Sequence, residues 1–195
     1  MSDLSRISST KQRQQLLRFA RETAGRALGV RGGGEIETPR IAGTFGGVFV
    51  TFWRGKTLRG CVGTFSATDD IAATVAKMTE ASLRDSRFTG NPIRAAELPK
   101  LLIEISVLST PERTSDPASL IPGVHGVIIR RGAQSGCFLP KVASDRGWLA
   151  EEFLSQCCAM KAGLDRDAWR DAKTEVELFE ADVICEPETP SSNAR

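Results

Sequence analysis

The sequence predicts a mixed fold of helices and antiparallel strand hairpins, on three observations. An apolar stripe at three- and four-residue spacing runs through residues 16–28. Two pairs of β-rich segments, 44–53 with 57–65 and 123–132 with 136–140, read as hairpins, the first turning at Arg54, Gly55 and Lys56. A second amphipathic helical pattern covers 149–162, and an alternating strand pattern covers 101–109.

The elements follow in order. Ser9 and Thr10 are capping residues, and Leu16, Leu17, Ala20, Ala24, Ala27 and Leu28 form the stripe of the first helix. Gly29 and the run Gly32, Gly33, Gly34 end it, and a loop from Glu35 to Arg40 follows. Residues 44–53 are apolar at both parities, which predicts a central strand buried on both faces. Arg54, Gly55 and Lys56 turn the chain into the return strand 57–65. Ser66 and Thr68 offer N-caps, with Asp69 and Asp70 in the first turn of a helix that runs to about Leu83 and buries Ile71, Val75 and Met78. Residues 84–100 are irregular, broken by Gly90, Pro92 and Pro99. In 101–109, Leu101, Ile103, Ile105 and Val107 share one face, and Glu104 and Ser106 point the other way. Lys141 to Trp148 reads as a short helix or turn. Leu149, Phe153, Leu154, Cys157 and Met160 face the core from the next helix, which Gly163 caps. A turn at 165–170 places Trp169, a final strand spans 174–185, and Glu186 onward reads as a frayed tail.

Composition bounds the chemistry. A chain of 195 residues holds one domain, or two lobes sharing a core. No stretch approaches the ~20 apolar residues of a membrane helix. The polar, basic start is not a secretory signal, and five cysteines, two of them adjacent, make no disulfide framework, so a cytoplasmic location is expected. With one histidine and no C-x-x-C, three-His zinc sites, 2-His-1-carboxylate iron sites and iron–sulfur ligation are ruled out or disfavoured, and no metal site is expected. There is no P-loop. Residues 1–31 carry seven Lys or Arg against two acids, and 145–190 carry twelve acids against five bases. The ordinary reading is a solvated basic helix face and a solvated acidic lobe. A net charge of +2 and the absence of tyrosine argue against nucleic-acid binding.

The strand 57–65 is the sharpest feature. Simple alternation puts Arg59 and Cys61 on one face, where a guanidinium beside a thiol favours the reactive thiolate. Gly60 and Gly63 leave room for a ligand or another backbone. Equally, Cys61 is a small buried hydrophobe in a tight sheet. His125, flanked by Gly123 and Gly126, suits a general acid or base, or a structural histidine bonded to backbone. Asp85, Ser86, Arg87 and Phe88 follow a helix. Arg87 can bind a carboxylate or phosphate, or Asp85 and Arg87 can pin the loop. Lys161 suits a helix C-terminus, and Cys157 and Cys158 read as packing residues.

Four segments in order, LRGCVGTF at 58–65, DSRF at 85–88, GVHGV at 123–127 and FLPKV at 138–142, are followed by KAGL at 161–164 and Trp169. This array closely resembles the AMMECR domain family, whose prokaryotic members are called AmmeMemoRadiSam system protein A. The resemblance covers about residues 15–185. It implies a single two-lobed domain at 9–186 with flexible termini at 1–8 and 187–195. The implied fold is α+β: a larger lobe with an antiparallel sheet flanked by helices, a smaller lobe of short strands, and a cleft between them. The family has no assigned reaction. The resemblance places Arg59, Gly60 and Cys61 on its RGC motif, Asp85, Ser86, Arg87 and Phe88 on DSRF, and His125 on G-x-H-G. Cys137 departs from the aliphatic or Thr residue usual before the L-P pair, which favours packing there. Two functions follow as expectations. One is a cleft enzyme using Cys61 as a reactive cysteine, His125 as its proton partner, and Arg59 and Arg87 as a clamp on a small anionic ligand, with Gly60 and Ser86 beside it. The other is a non-catalytic module that binds a ligand or acts with Memo-like and radical S-adenosylmethionine proteins. The sequence identifies no cofactor.

Overall fold

The computed structural model describes residues 7–30 and 37–187. The expected glycine run at 32–34 and the start of its loop lie outside them. The chain divides into two compact units. One is formed by residues up to Val107 together with those from Asp182 onward, the other by Leu108–Ala181.

In the first unit, α1 (Thr10–Ala27) begins at Ser9, whose hydroxyl accepts from the Gln12 N–H. It buries Leu16, Leu17, Phe19, Ala20, Thr23 and Ala24; of the predicted stripe, Ala27 and Leu28 are only partly buried against the same core. β1 (Gly47–Arg54) and β2 (Thr57–Thr64) form an antiparallel hairpin through Gly55, whose φ of 54° is left-handed and suits glycine. Val48, Val50 and Phe52 are fully buried. α2 (Ile71–Leu83) packs on this hairpin and on α1. Its N-cap is Asp70, accepting from Ala73 N–H, rather than Ser66 or Thr68. Thr68 instead accepts from the Asp70 N–H and so braces the cap. β3 (Leu102–Leu108) lies beside β1, and the sheet order runs β2-β1-β3-β7, where β7 is Glu175–Cys185 and its residues from Asp182 belong to this unit. Ile103, Ile105 and Val107 join the core between sheet and helices.

Two expectations at the chain ends are corrected. Ile7 is buried, and its N–H donates to Asp182. Glu186 is no frayed residue: it accepts from Ile103 N–H at 2.8 Å and pairs with both Arg21 Nε and Nη2. Side-chain acceptors reaching back to strand and helix hold both segments.

In the second unit, β5 (His125–Arg131) pairs antiparallel with β6 (Gln134–Phe138) and with β7 (Glu175–Cys185). A two-residue strand, β4 (Glu112–Arg113), also pairs with β7 and was not legible in the sequence. α3 (Pro140–Arg146) and α4 (Ala150–Cys157) pack over β5, and α4 runs into a π-helical turn, Cys158–Ala162, closed by Gly163 at φ 65°. Leu149 and Met160, expected in the core, are 78% and 58% exposed. Leu149 precedes the helix, and the wider π-turn carries Ala162 inward in place of Met160. Adding a Cβ at Gly136 on β6 would bring it within 2.4 Å of the Lys161–Ala162 backbone, so glycine permits that close packing.

Candidate functional site

The RGC strand and the DSRF turn meet in the first unit. On β2 the pairing with β1 runs Val48↔Thr64 to Phe52↔Gly60, then steps to Trp53↔Leu58. Arg59 is the extra residue at this bulge. The step reverses the alternation across it, so Cys61, opposite Thr51, shares a face with Leu58 and not with Thr57. The expected pairing of Arg59 with the Cys61 thiol fails for this reason. Arg59 is buried and turns instead to Glu97, with Nε to Oε1 at 2.6 Å and Nη2 to Oε2 at 3.0 Å, and it also donates to the Asn91 carbonyl.

The space at Gly60 is filled. A Cβ there would lie 2.2 Å from the Ser82 carbonyl oxygen at the end of α2. The Ser82 hydroxyl accepts from Val62 N–H and donates to the Val50 carbonyl, so α2 is stitched to both strands. Of the two readings of Gly60, close approach of another backbone is the one observed. At Gly63 a Cβ would strike the Phe49 ring at 2.2 Å.

This packing delivers the residues after α2 to the edge of β2. Asp85 accepts from its own turn at Arg87 N–H and from Cys61 N–H, at 3.0 and 2.9 Å. The Arg87 guanidinium holds the same carboxylate through Nε and Nη2, at 3.0 and 2.6 Å, and Nη2 also donates to the Cys61 carbonyl at 2.9 Å. The Arg87 side chain is 56% exposed while that of Asp85 is 4% exposed. Arg87 holds the Asp85 carboxyl down at about 2, helped by the two backbone donors and opposed by burial. Phe88 lies with its ring 6.0 Å from the Arg59 guanidinium carbon and 5.7 Å from that of Arg87. Ser86 is exposed. Arg59 and Arg87 thus do not share one anion: each already has its own carboxylate in the same unit, the arrangement of a structural cluster.

Cys61 is half-buried, and the Thr51 hydroxyl donates to its sulfur at 3.3 Å. Burial pushes its thiol up. The Thr51 bond and the Arg87 charge pull it down, and the charges of Asp85 and Glu104 push it further up. The net direction is opposite to the activated thiolate expected from the motif. The sequence reading missed Glu97 and Thr51. Thr51 was recoverable only from the hairpin register, and Glu97 lies 38 residues from Arg59 with no local signal.

His125 belongs to the second unit. It opens β5, opposite Glu180 on β7, and its Nδ1 accepts from Ile121 N–H at 3.1 Å while its backbone N–H donates to the Ile121 carbonyl. Gly123, at φ 82°, makes the turn that brings Ile121 back to it. These contacts are those of a histidine bonded to backbone. Cys157 and Cys158 are fully buried, as packing residues, and burial raises the Cys137 thiol, partly countered by Lys161 and Arg130. Among the described residues no group of three or more His, Cys, Asp or Glu is placed to hold a metal ion, and no helix is long and apolar enough to cross a membrane.

These features define an α+β protein in which an RGC strand is clasped by a DSRF turn. The AMMECR1 family matches residues 11–184, and the chain belongs to that family. Similar proteins occur in Aquifex aeolicus (38% identity over 150 residues, 73% of this chain and 75% of that one) and Methanosarcina acetivorans (36% over 170 residues, 80% and 83%). The crystal structure of uncharacterized protein PH0010 from Pyrococcus horikoshii is similar in fold, with a TM-score of 0.77 at 33% identity over 90% of this chain and 91% of that one.

Proposed function

We propose that this chain is a non-catalytic partner module, acting in the cytoplasm with Memo-like and radical S-adenosylmethionine proteins. The observation that supports this reading is the use made of the motif residues. Asp85 and Arg87 bind the backbone N–H and carbonyl of Cys61, and Arg59 is committed to Glu97. Groups that a catalytic site would present to a substrate are here engaged in holding a strand, a helix end and a turn together. The partners are those that the family resemblance suggests.

The test is co-expression of the chain with a Memo-like protein and a radical S-adenosylmethionine protein from its own genome, with and without Cys61→Ser. The module reading expects an isolable complex, unchanged by Cys61→Ser, and unchanged activity of the partners. A second reading, Cys61 as nucleophile with His125 as proton partner, is favoured by the Thr51 hydrogen bond to the sulfur. It expects Cys61→Ser to abolish function while folding and complex formation persist, and that result would overturn the module reading.

A further inference from the structure

A neutral imidazole carries a proton on one ring nitrogen and an acceptor on the other; the cation carries protons on both and accepts nothing. Nδ1 of His125 accepts from the Ile121 N–H at 3.1 Å. That bond puts the ring's proton on Nε2, and it exists only while the ring is neutral. Once a solvent proton lands on Nδ1, no rotation of the ring restores the bond, because neither nitrogen can then accept. Imidazole rings change charge between about pH 5 and 8.

The bond closes a short turn whose two ends are fixed. Before it, Leu120 is buried in the core of the second unit, and after it Gly126 pairs with Phe179 on β7. Between them the Ile121 carbonyl accepts from the N–H groups of both Val124 and His125, at 3.1 and 2.9 Å, and Gly123 takes a φ of 82°. Ile121 and Val124 are exposed, so little packing opposes an opening confined to this turn. Glu180 stands opposite His125 on β7. α3 packs on β5 and sets Ser144 beside Gly123, and its charged residues are Lys141, Asp145 and Arg146.

We propose that His125 is a pH-sensitive latch on the turn 121–124. The neutral ring keeps the turn closed, and protonation of the ring releases it. The inference does not depend on the partner-module reading.

The test is solvent exchange of backbone amides, read by NMR on the whole chain from about pH 8 to about pH 5. Each rate is divided by that of an unstructured peptide at the same pH, and wild type is compared with His125→Asn. The asparagine offers an amide oxygen near the place of Nδ1 and does not titrate. In wild type the protection of the Ile121 amide should fall about five- to tenfold, the size of one lost hydrogen bond, and the Val124 amide should lose protection with it. The fall should follow the ring's own titration, read from its carbon and nitrogen shifts, which at high pH should report the Nε2–H form. In His125→Asn the protection of Ile121 should be the same at both ends of the range. Glu180 and α3 are kept in that variant, so a surviving pH dependence comes from outside the ring and overturns the proposal. Ile121 protection that is unchanged through the ring's titration overturns it as well. So does loss at Ile121 with Val124 still protected, because the turn then stays closed. If His125→Asn is unprotected at every pH, the wild-type ring decides: an Nδ1–H form at high pH overturns the proposal, and an Nε2–H form whose titration coincides with the loss at Ile121 supports it.

Discussion

Cys61 shows how a residue's neighbours decide its chemistry. Its thiol is raised chiefly by burial, and the nearby positive charge belongs to Arg87, which is already neutralised by Asp85. Cys185 is exposed. Iodoacetamide labelling at mildly alkaline pH, followed by peptide mass spectrometry, is therefore expected to modify Cys185 well before Cys61. Faster labelling of Cys61 would restore the activated-thiol reading. Asp85 gives the second expectation at this scale. Its folded-state value of about 2 lies below the ordinary 3.8. A depressed carboxyl contributes stability that is fully present above the unfolded value and is lost as pH falls through the folded one. The window is thus from about pH 4 down to about pH 2, and the size is about 2 kcal/mol. Urea midpoints measured across that window should fall more steeply for wild type than for Asp85→Asn. Parallel acid limbs would show that the pair contributes little.

At the scale of elements, the hairpin and α2 are fitted to each other through missing side chains. Gly60 lets the last turn of α2 sit against β2, with the Ser82 carbonyl where a Cβ would be. Because the obstructing atom is backbone and not the end of a flexible side chain, Gly60→Ala must push helix and strand apart. A loss of about 1–3 kcal/mol in denaturant unfolding is expected, in the range of overpacking substitutions. The displacement would also lengthen the Cys61–Asp85 bond, so amide exchange at Cys61 should quicken. A variant as stable as wild type would mean that the contact relaxes easily. The helix α4 follows its periodic pattern in the middle and departs from it at both ends. An unbroken 3.6-residue period carries Met160 inward, but the π-turn at Cys158–Ala162 spends an extra residue and changes the phase. No local composition signal announces that turn. It is the packing of Gly136 against the Lys161–Ala162 backbone that accompanies it.

At the scale of the molecule, the first unit is assembled from both ends of the chain. Arg13 and Ile7 N–H meet Asp182, and Arg21 holds Glu186 together with the carbonyls of Leu98 and Leu101. Two arginines that made the N-terminal segment look like a basic surface are in fact fasteners for the C-terminal strand. Glu186→Ala takes the carboxylate from Arg21, which keeps the Leu98 and Leu101 carbonyls, and removes the acceptor of the Ile103 N–H. A loss of about 1–3 kcal/mol is expected in urea unfolding, since unsatisfied partly buried donors are costly. If instead the midpoint is unchanged, solvent replaces the acceptor and the segment is only loosely held.

The sequence by itself determined what depends on neighbours in the chain. The stripe of α1, the hairpin turn at Gly55, the alternation of β3 and the left-handed cap at Gly163 all follow from short-range periodicity and backbone freedom. The motif segments pointed to the AMMECR1 family for the same reason, being local strings in a fixed order. Only the tertiary structure decided what those motifs do. A one-residue bulge sends Arg59 to Glu97 and separates it from the Cys61 thiol, and the end of α2 brings Asp85 and Arg87 to the Cys61 backbone. Strand register, and the partner a charge finds across 20 to 40 residues of chain, are set by how whole elements pack. A side chain's sign and spacing do not encode either, so the same RGC string can read as a reactive thiol and fold as a clasp.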